Sequence, residues 1–472
     1  MHPPDQDPLD EDPPEHDPSD KAPSVAGSRG ECGNEREMRA TAREIFRHAL
    51  EECGVERGFS RRIYYERGIL QVGDDLYDLG DYSRIFVVSI GKAAHSSLEA
   101  LMGRLGAGVE LSGIVSAPSP PKSQLYGFRY FEGGHPFPNS ESLRAAEAAL
   151  RALDSLNSQS LAIYLISGGG SAVLEKPVSD EIPFEDLVET HRVLVHSGAP
   201  IAEINALRKH LSAVKGGRLA LAAAPAQQLS ILISDVPDER LDSLASGPTM
   251  PDSSTAEQCY EIAESYSLLP HLPGSVRELL RWRRLEETPK VDDPAFVGAR
   301  WWPILSNDCA LKAAAERAVE RGFAVEIDNR CDDWEYGRAA DYLLQRVRQL
   351  RLGKPNHARV CLISGGELTV KVEGTPGRGG RNQQFALYCA QRIEGENICV
   401  LSAGTDGIDG NSPAAGALAD GTTMARARKK GLSAEAGLAE FNTYPFFNAL
   451  GDAIVTGETG TNVRDLRLLL AW

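Results

Sequence analysis

The chain has 472 residues, 42% of them apolar and 25% charged, and a net charge of −17; that length exceeds one ordinary domain and points to two. The acidic balance excludes a broadly nucleic-acid-binding surface, and no apolar run approaches the roughly 20 residues of a membrane span. Eight cysteines without a C-x-x-C pair exclude zinc ribbons and thioredoxin-type chemistry, and read as reduced core residues of a cytosolic protein.

Residues 1–37 hold eleven acidic and three basic side chains, seven prolines and almost nothing large and apolar. Such a stretch cannot bury enough surface to offset the entropy of ordering, so a disordered acidic tail is expected, and neither a secretory nor a transit signal. A helix is expected from Met38 to Cys53. Arg84 to Ile90 then reads as a buried strand running into Gly91-Lys92-Ala93-Ala94 and a further helix. Cations are disfavoured at the positive end of a helix, so a lysine at this junction points to an anionic ligand; the alternative is a solvated lysine at the helix start. Open α/β sheets bind ligands at this carboxyl edge.

Gly113–Ala117 and Tyr130–Glu132 read as short strands and Ser140–Leu156 as an amphipathic helix. The strand Leu161–Ile166 feeds Ser167-Gly168-Gly169-Gly170-Ser171. This turn matches neither G-x-x-x-x-G-K-[ST] nor G-x-G-x-x-G. A run of small residues after a buried strand still makes a nest of N–H donors; the alternative is a tight turn that needs only glycine dihedrals. The basic cluster Arg208, Lys209, Lys215 and Arg218 borders a cleft or forms a solvated face. Strand Leu229–Ser234 ends at Asp235, where a carboxylate is well placed as general base or metal ligand; the alternative is an aspartate that only caps the loop.

Residues 265–300 carry four prolines and no clear strand, so the domain connection is expected there, with 286–300 as linker between units at 38–285 and 301–472. The second unit is expected to open with a strand from Trp302. Strand Arg359–Ile363 then leads into Ser364-Gly365-Gly366-Glu367, a near copy of the earlier turn. A glycine loop with Arg378 and Arg381 follows, then a helix from Asn382. Bare backbone, a helix N-terminus and an arginine fork together suit phosphate or carboxylate. Strand Ile398–Ser402 ends in a glycine-rich loop with Asp406 and Asp409, a pair that either shares Mg²⁺ with substrate phosphates or makes an Asx turn. Thr456–Asn462 is a hydroxyl-rich loop expected before a last helix; it binds an anion or pins the C-terminus. The alternation of strands and helices implies mostly parallel sheets in both halves.

Ten stretches, taken together, resemble one family, the class II glycerate 2-kinases with a C-terminal MOFRL domain. They are Gly91–Ala94, GGHPFP (133–138), ISGGGSA (166–172), LRKHLSAVKGGRLA (207–220), LISDV (232–236), ASGPT (245–249), ISGGE (363–367), GGRNQQ (379–384), SAGTDGIDG (402–410) and TGETGTNVRDL (456–466). They run in order from residue 91 to residue 466, and the resemblance covers the chain from about residue 38 to 467. The resemblance implies two Rossmann-like three-layer α/β domains with the active site in the cleft between them. It implies a cytoplasmic kinase that moves the γ-phosphoryl group of ATP to the 2-hydroxyl of D-glycerate with Mg²⁺, and leaves room for a homodimer. Neither nucleic acid nor membrane is an expected partner. The resemblance assigns Lys92, Asp235 and Arg381 to catalysis. Ser167, Gly168, Gly169, Gly170, Ser171, Ser364, Gly365, Gly366 and Asn382 are the expected substrate or phosphate contacts, and Asp406 and Asp409 the expected metal ligands. Two stretches depart from the family pattern: Val-Pro-Asp-Glu-Arg follows Asp235 where Val-x-Gly-Asp is expected, and Thr443 stands where an aspartate is usual. The expected alternatives are a kinase of another small hydroxy acid or a hydroxypyruvate reductase; the latter lacks its G-x-G-x-x-G turn.

Overall fold

The computed structural model describes residues 33–355, 358–372 and 374–472; almost all of the expected acidic tail lies outside these. Three short strands, β1 (Ile63–Glu66), β2 (Ile69–Val72) and β3 (Asp75–Asp78), form a small antiparallel sheet. Next come β4 (Arg84–Ile90), β5 (Ser112–Ala117), β6 (Phe128–Glu132), β7 (Ser160–Ser167), β8 (Gln227–Ile233) and β9 (Ala299–Leu305). They form one sheet in the order β6-β5-β4-β7-β8-β9, with every pair parallel. Its strands are continuous apolar runs because both faces are covered. Ile85 and Val87 face a core with Phe59, Leu98 and Leu101. Phe86, Val88 and Ile90 alternate to the other face, against Ala145, Ala149 and Leu153. The chain runs outward from β4 through β5 and β6, then returns beside β4 as β7. The order therefore reverses between β4 and β7, where sheets of this kind open a ligand crevice.

The second sheet holds β10 (Phe323–Ile327), β11 (Arg359–Gly366), β12 (Ile398–Gly404), β13 (Gly416–Asp420), β14 (Ala453–Ile454) and β15 (Asp465–Ala471), in the order β10-β11-β15-β12-β13-β14. Only β10 and β11 pair in parallel; β15 runs antiparallel to both its neighbours, so this sheet is mixed where a mostly parallel one was expected. The segment expected as a last helix is thus the central strand. All its residues are buried, and a short apolar run buried on both faces has no period to separate strand from helix.

The division of the chain also differs from expectation. Trp302 does not open the second half: β9 pairs with β8 and completes the first sheet. The Trp302 indole donates to Asp75 of β3 at 2.8 Å and lies against Gly73, where a Cβ would come within 2.4 Å of the ring. Conversely, helix Gly33–Glu52 packs on the second sheet, its Met38, Ala42, Ile45 and Phe46 sharing a core with Cys361, Leu401 and Leu468. Arg39 fixes it there by bonding the buried carboxylates of Asp420 and Asp452. The chain therefore crosses between the halves twice, after Glu52 and after Leu305. Among the described residues no helix is long and apolar enough to cross a membrane.

Candidate active site

Neighbouring strands β4, β7 and β8 deliver three turns to one edge of the first sheet: Gly91-Lys92, Ser167–Ser171 and Asp235. Gly91 has φ +107° and touches the Ser167 side chain, where no Cβ would fit. The Lys92 amide donates to the Gly168 carbonyl at 2.9 Å. Ser167 Oγ accepts from the Ala93 amide at 3.0 Å and donates to the Ile90 carbonyl at 3.2 Å. Ser167 thus ties the two turns together.

The following glycines are places of close approach. A Cβ on Gly168 would lie 2.0 Å from Asp235 Oδ2, and one on Gly169 would lie 3.2–3.3 Å from His135 and Lys92. One on Gly170 would meet Ala245 at 2.7 Å. Bare backbone therefore lets Asp235, Lys92 and His135 converge over one turn. Burial pushes the Asp235 carboxyl above its ordinary range, while the cations Lys92 and Arg464 pull the other way. Burial, then the charge of Lys92, holds His135 below its usual value. Lys92 is exposed and has no carboxylate partner among the described residues. Ser171 Oγ shares a 2.9 Å hydrogen bond with Ser246 Oγ. Ala245 and Ser246 are non-glycine residues at φ +50° and +61°, strain of the kind that gathers at functional sites.

The second half turns the start of β15 and the start of helix Arg381–Arg392 toward the same cleft. A cavity of about 270 Å³ lies between the halves, lined by Lys92, Ser167 and Gly168 on one side and by Asp406, Ile408, Glu458 and Thr461 on the other. Thr461 Oγ1 is buried without a hydrogen-bond partner. Arg381 opens its helix and is gripped by Asp465 (2.6 and 3.1 Å) and Glu367 (2.7 Å). Burial works against its charge, but the two carboxylates outweigh it and hold the guanidinium above its ordinary range.

Several expected contacts do other work. The Gly365 and Gly366 amides are taken by Asn329 and Asn307 at 2.9 and 3.0 Å, and that of Glu367 by Asp332 at 3.0 Å. Buried Arg467 donates to the carbonyls of Gly365 and Gly366. Ser364 Oγ is buried without a partner. This turn is therefore a structural hub, its donors already engaged. Asn382 is buried too, accepting from Ser402 Oγ at 2.6 Å.

Asp409 does not fit a metal. It is buried, and its two oxygens accept the Asn382 and Gln383 amides and the Gln383 side chain, which makes it the cap of the Arg381 helix. Burial pushes its carboxyl up to about 6, against those donors. Asp406 does fit. It faces the cavity beside Glu458, and Oδ1 takes one hydrogen bond, from the Ile408 amide at 3.1 Å. Among the described residues no group of three His, Cys, Asp or Glu side chains is placed to hold a metal ion. A Mg²⁺ here would need substrate phosphates to complete its shell, as Mg²⁺ in kinases commonly does.

The sequence reading missed Glu367, Asp332, Arg464, Asp465 and Arg467. Arg464 binds Asp332 at 2.7 and 2.5 Å, and Asp465 holds Arg381. One signal was present: charges at 464, 465 and 467 at the mouth of an otherwise apolar run. A buried charge in a strand needs a partner.

A doubly wound parallel sheet with a lysine and a carboxylate at its carboxyl edge, facing an arginine-bearing mixed sheet across a small cavity, defines a two-domain α/β protein. Two sequence families match the chain: a domain of unknown function (DUF4147) over residues 41–281 and the MOFRL family over 360–465. A D-glycerate 2-kinase of Thermotoga maritima is 34% identical over 386 residues, covering 81% of this chain and 89% of the relative. A putative hydroxypyruvate reductase of Agrobacterium vitis is 37% identical, covering 82% and 87%. The crystal structure of glycerate kinase from Thermotoga maritima superposes with a TM-score of 0.79 at 32% identity, covering 93% of this chain and 100% of that one. The chain belongs to the class II glycerate 2-kinase family, with its C-terminal MOFRL domain.

Proposed function

We propose that the chain transfers the γ-phosphoryl group of ATP to the 2-hydroxyl of D-glycerate, giving 2-phosphoglycerate. One observation carries this reading. Asp235 and Lys92 pack over the bare backbone of Gly168 and Gly169, at a cavity whose far wall bears Asp406. Asp235 is the base. Burial raises its proton affinity, Lys92 keeps it ionised, and it accepts the hydroxyl proton as the oxygen attacks phosphorus. The unpaired ammonium of Lys92 meets the charge on the transferring phosphoryl oxygens; phosphoryl transfer is mostly positioning and charge stabilisation. Arg381, oriented by Asp465 and Glu367, borders the phosphate path. Mg²⁺ would be held by Asp406 with Glu458 and neutralise phosphate charge when bound. Ser171, joined to the strained Ser246, orients the hydroxy acid. All these residues come from one chain, and the reading carries a cytoplasmic location with it.

The test is incubation with ATP, Mg²⁺ and D-glycerate, followed by ³¹P NMR of the product. Phosphate on carbon 2 is expected; phosphate on carbon 3, or no product, overturns the reading. A parallel reaction with NADH and hydroxypyruvate should leave NADH absorbance unchanged, since no G-x-G-x-x-G turn follows a strand here.

A further inference from the structure

A second cavity, of about 240 Å³, lies beside Arg381 in the C-terminal half. Val370, Val372, Pro376 and Phe441 give it apolar walls, Gln384, Arg381 and Asn411 are its polar side chains, and much of the rest is glycine backbone; the Asn411 amide is already spent on the Gly379 amide and the Gly377 carbonyl. The glycines are bare for a packing reason. A Cβ on Gly377, Gly379 or Gly380 would come within 2.5, 2.2 or 2.3 Å of Asn442, Thr443 or Asp409. The loop is thereby pressed against its neighbours, and flat peptide planes form part of the wall. Gln384 is buried and donates its amide N–H to the Leu438 carbonyl at 2.8 Å. Its Oε1 is left as an acceptor and receives no hydrogen bond from any described residue.

The position matters as much as the lining. Asp406 and Ile408 line the cavity that holds Lys92, whereas Gly410 and Asn411, a few residues on in the same loop, line this one. One loop therefore borders both cavities, and Arg381 lines the second. D-glycerate is small and polar throughout, and the walls of Val370, Val372, Pro376 and Phe441 offer its hydroxyls no partner. A flat heteroaromatic ring with an amino group and an anionic tail matches both compartments. Resting on the kinase reading above, we propose that this cavity holds the base of the nucleotide, a 6-aminopurine whose exocyclic amine donates to Gln384 Oε1. Its phosphates pass Arg381 toward Lys92.

Two variants test this. Val372 is 45% exposed, so Val372→Asp leaves the fold intact while placing a charge at the apolar wall. It should raise KM for ATP about tenfold and leave KM for D-glycerate within twofold. Gln384→Leu should remove the preference for ATP over ITP, whose 6-oxo group cannot donate; a pocket built to bond a substrate N–H rejects the analogue without it. An unchanged KM for ATP in Val372→Asp, a rise in KM for D-glycerate instead, or a wild type indifferent between ATP and ITP overturns the assignment. Anisotropy of a fluorescent ribose-labelled ADP separates this from the kinase reading. If the wild type binds it and Val372→Asp binds it about tenfold more weakly, the base site stands even where D-glycerate is not phosphorylated. If both bind equally, or neither binds, the base site falls.

Discussion

The turns Ser167–Ser171 and Ser364–Glu367 are near copies in sequence, each at the end of a buried strand, yet they sit in opposite surroundings. Over the first, an aspartate, a lysine and a histidine from three other segments converge on bare glycine, and the lysine has no carboxylate partner among the described residues. Around the second, Asn307, Asn329 and Asp332 take three successive amides, and Arg467 takes two carbonyls. The glycines permit close approach in both; what approaches decides the role. The first turn is where chemistry has room, and the second locks the scaffold that aims Arg381.

That contrast sets the expected effects, from largest to smallest. Asp235→Asn removes the proposed base of the first turn and should lower kcat about a thousandfold, with an unfolding midpoint near that of the wild type. Lys92→Met should cost about a hundredfold or more. Steady-state assays paired with thermal unfolding check both, and turnover near wild type in either would break the division. Arg467→Met should do the reverse, destabilising the fold by about 3 kcal/mol because the Gly365 and Gly366 carbonyls lose their donor and buried Asp465 loses an ion-pair partner at 3.9 Å. Gly365→Ala should also act through stability, by about 1–3 kcal/mol. Its Cβ would lie 1.8 Å from Asn307 Oδ1, an atom pinned by the Gly366 amide, while the Asn307 amide nitrogen is bonded to the Val463 and Asp465 carbonyls. Denaturant unfolding of each variant reads these losses.

The smallest effect is on pH dependence. Burial raises the Asp235 carboxyl, so the protonated form persists above the ordinary carboxylate range, and kcat/KM should rise with pH through a value above about 3.9. Asp406 is a negative neighbour that pushes Asp235 up further. In Asp406→Asn the residual activity should therefore show its acidic limb at lower pH. A limb that stays in place would separate the two groups.

The first half was largely legible in the sequence. Strands β4, β7 and β8 each end in a turn of distinctive residues, and their adjacency follows from the parallel order. Lys92, Asp235 and the glycines between them could be named from local pattern alone. The second half was not, for identifiable reasons. The partners of Arg381 come from β15 and the end of β11, and β15 is an apolar run with no period to fix its type. Asp409 looks like half of a metal pair until the start of the Arg381 helix is seen resting on it. The places of β9 and helix Gly33–Glu52 depend on pairings with elements far away in the chain, which local sequence does not encode.

The most direct test of the divided roles is the turnover of Gly168→Ala with ATP, Mg²⁺ and D-glycerate. Its added methyl meets the free end of the Asp235 side chain, which can swing away at little cost to folding but not without leaving its place over the turn. At least a tenfold loss of kcat with a near-wild-type unfolding midpoint is expected. Full kcat in the folded variant would contradict the account.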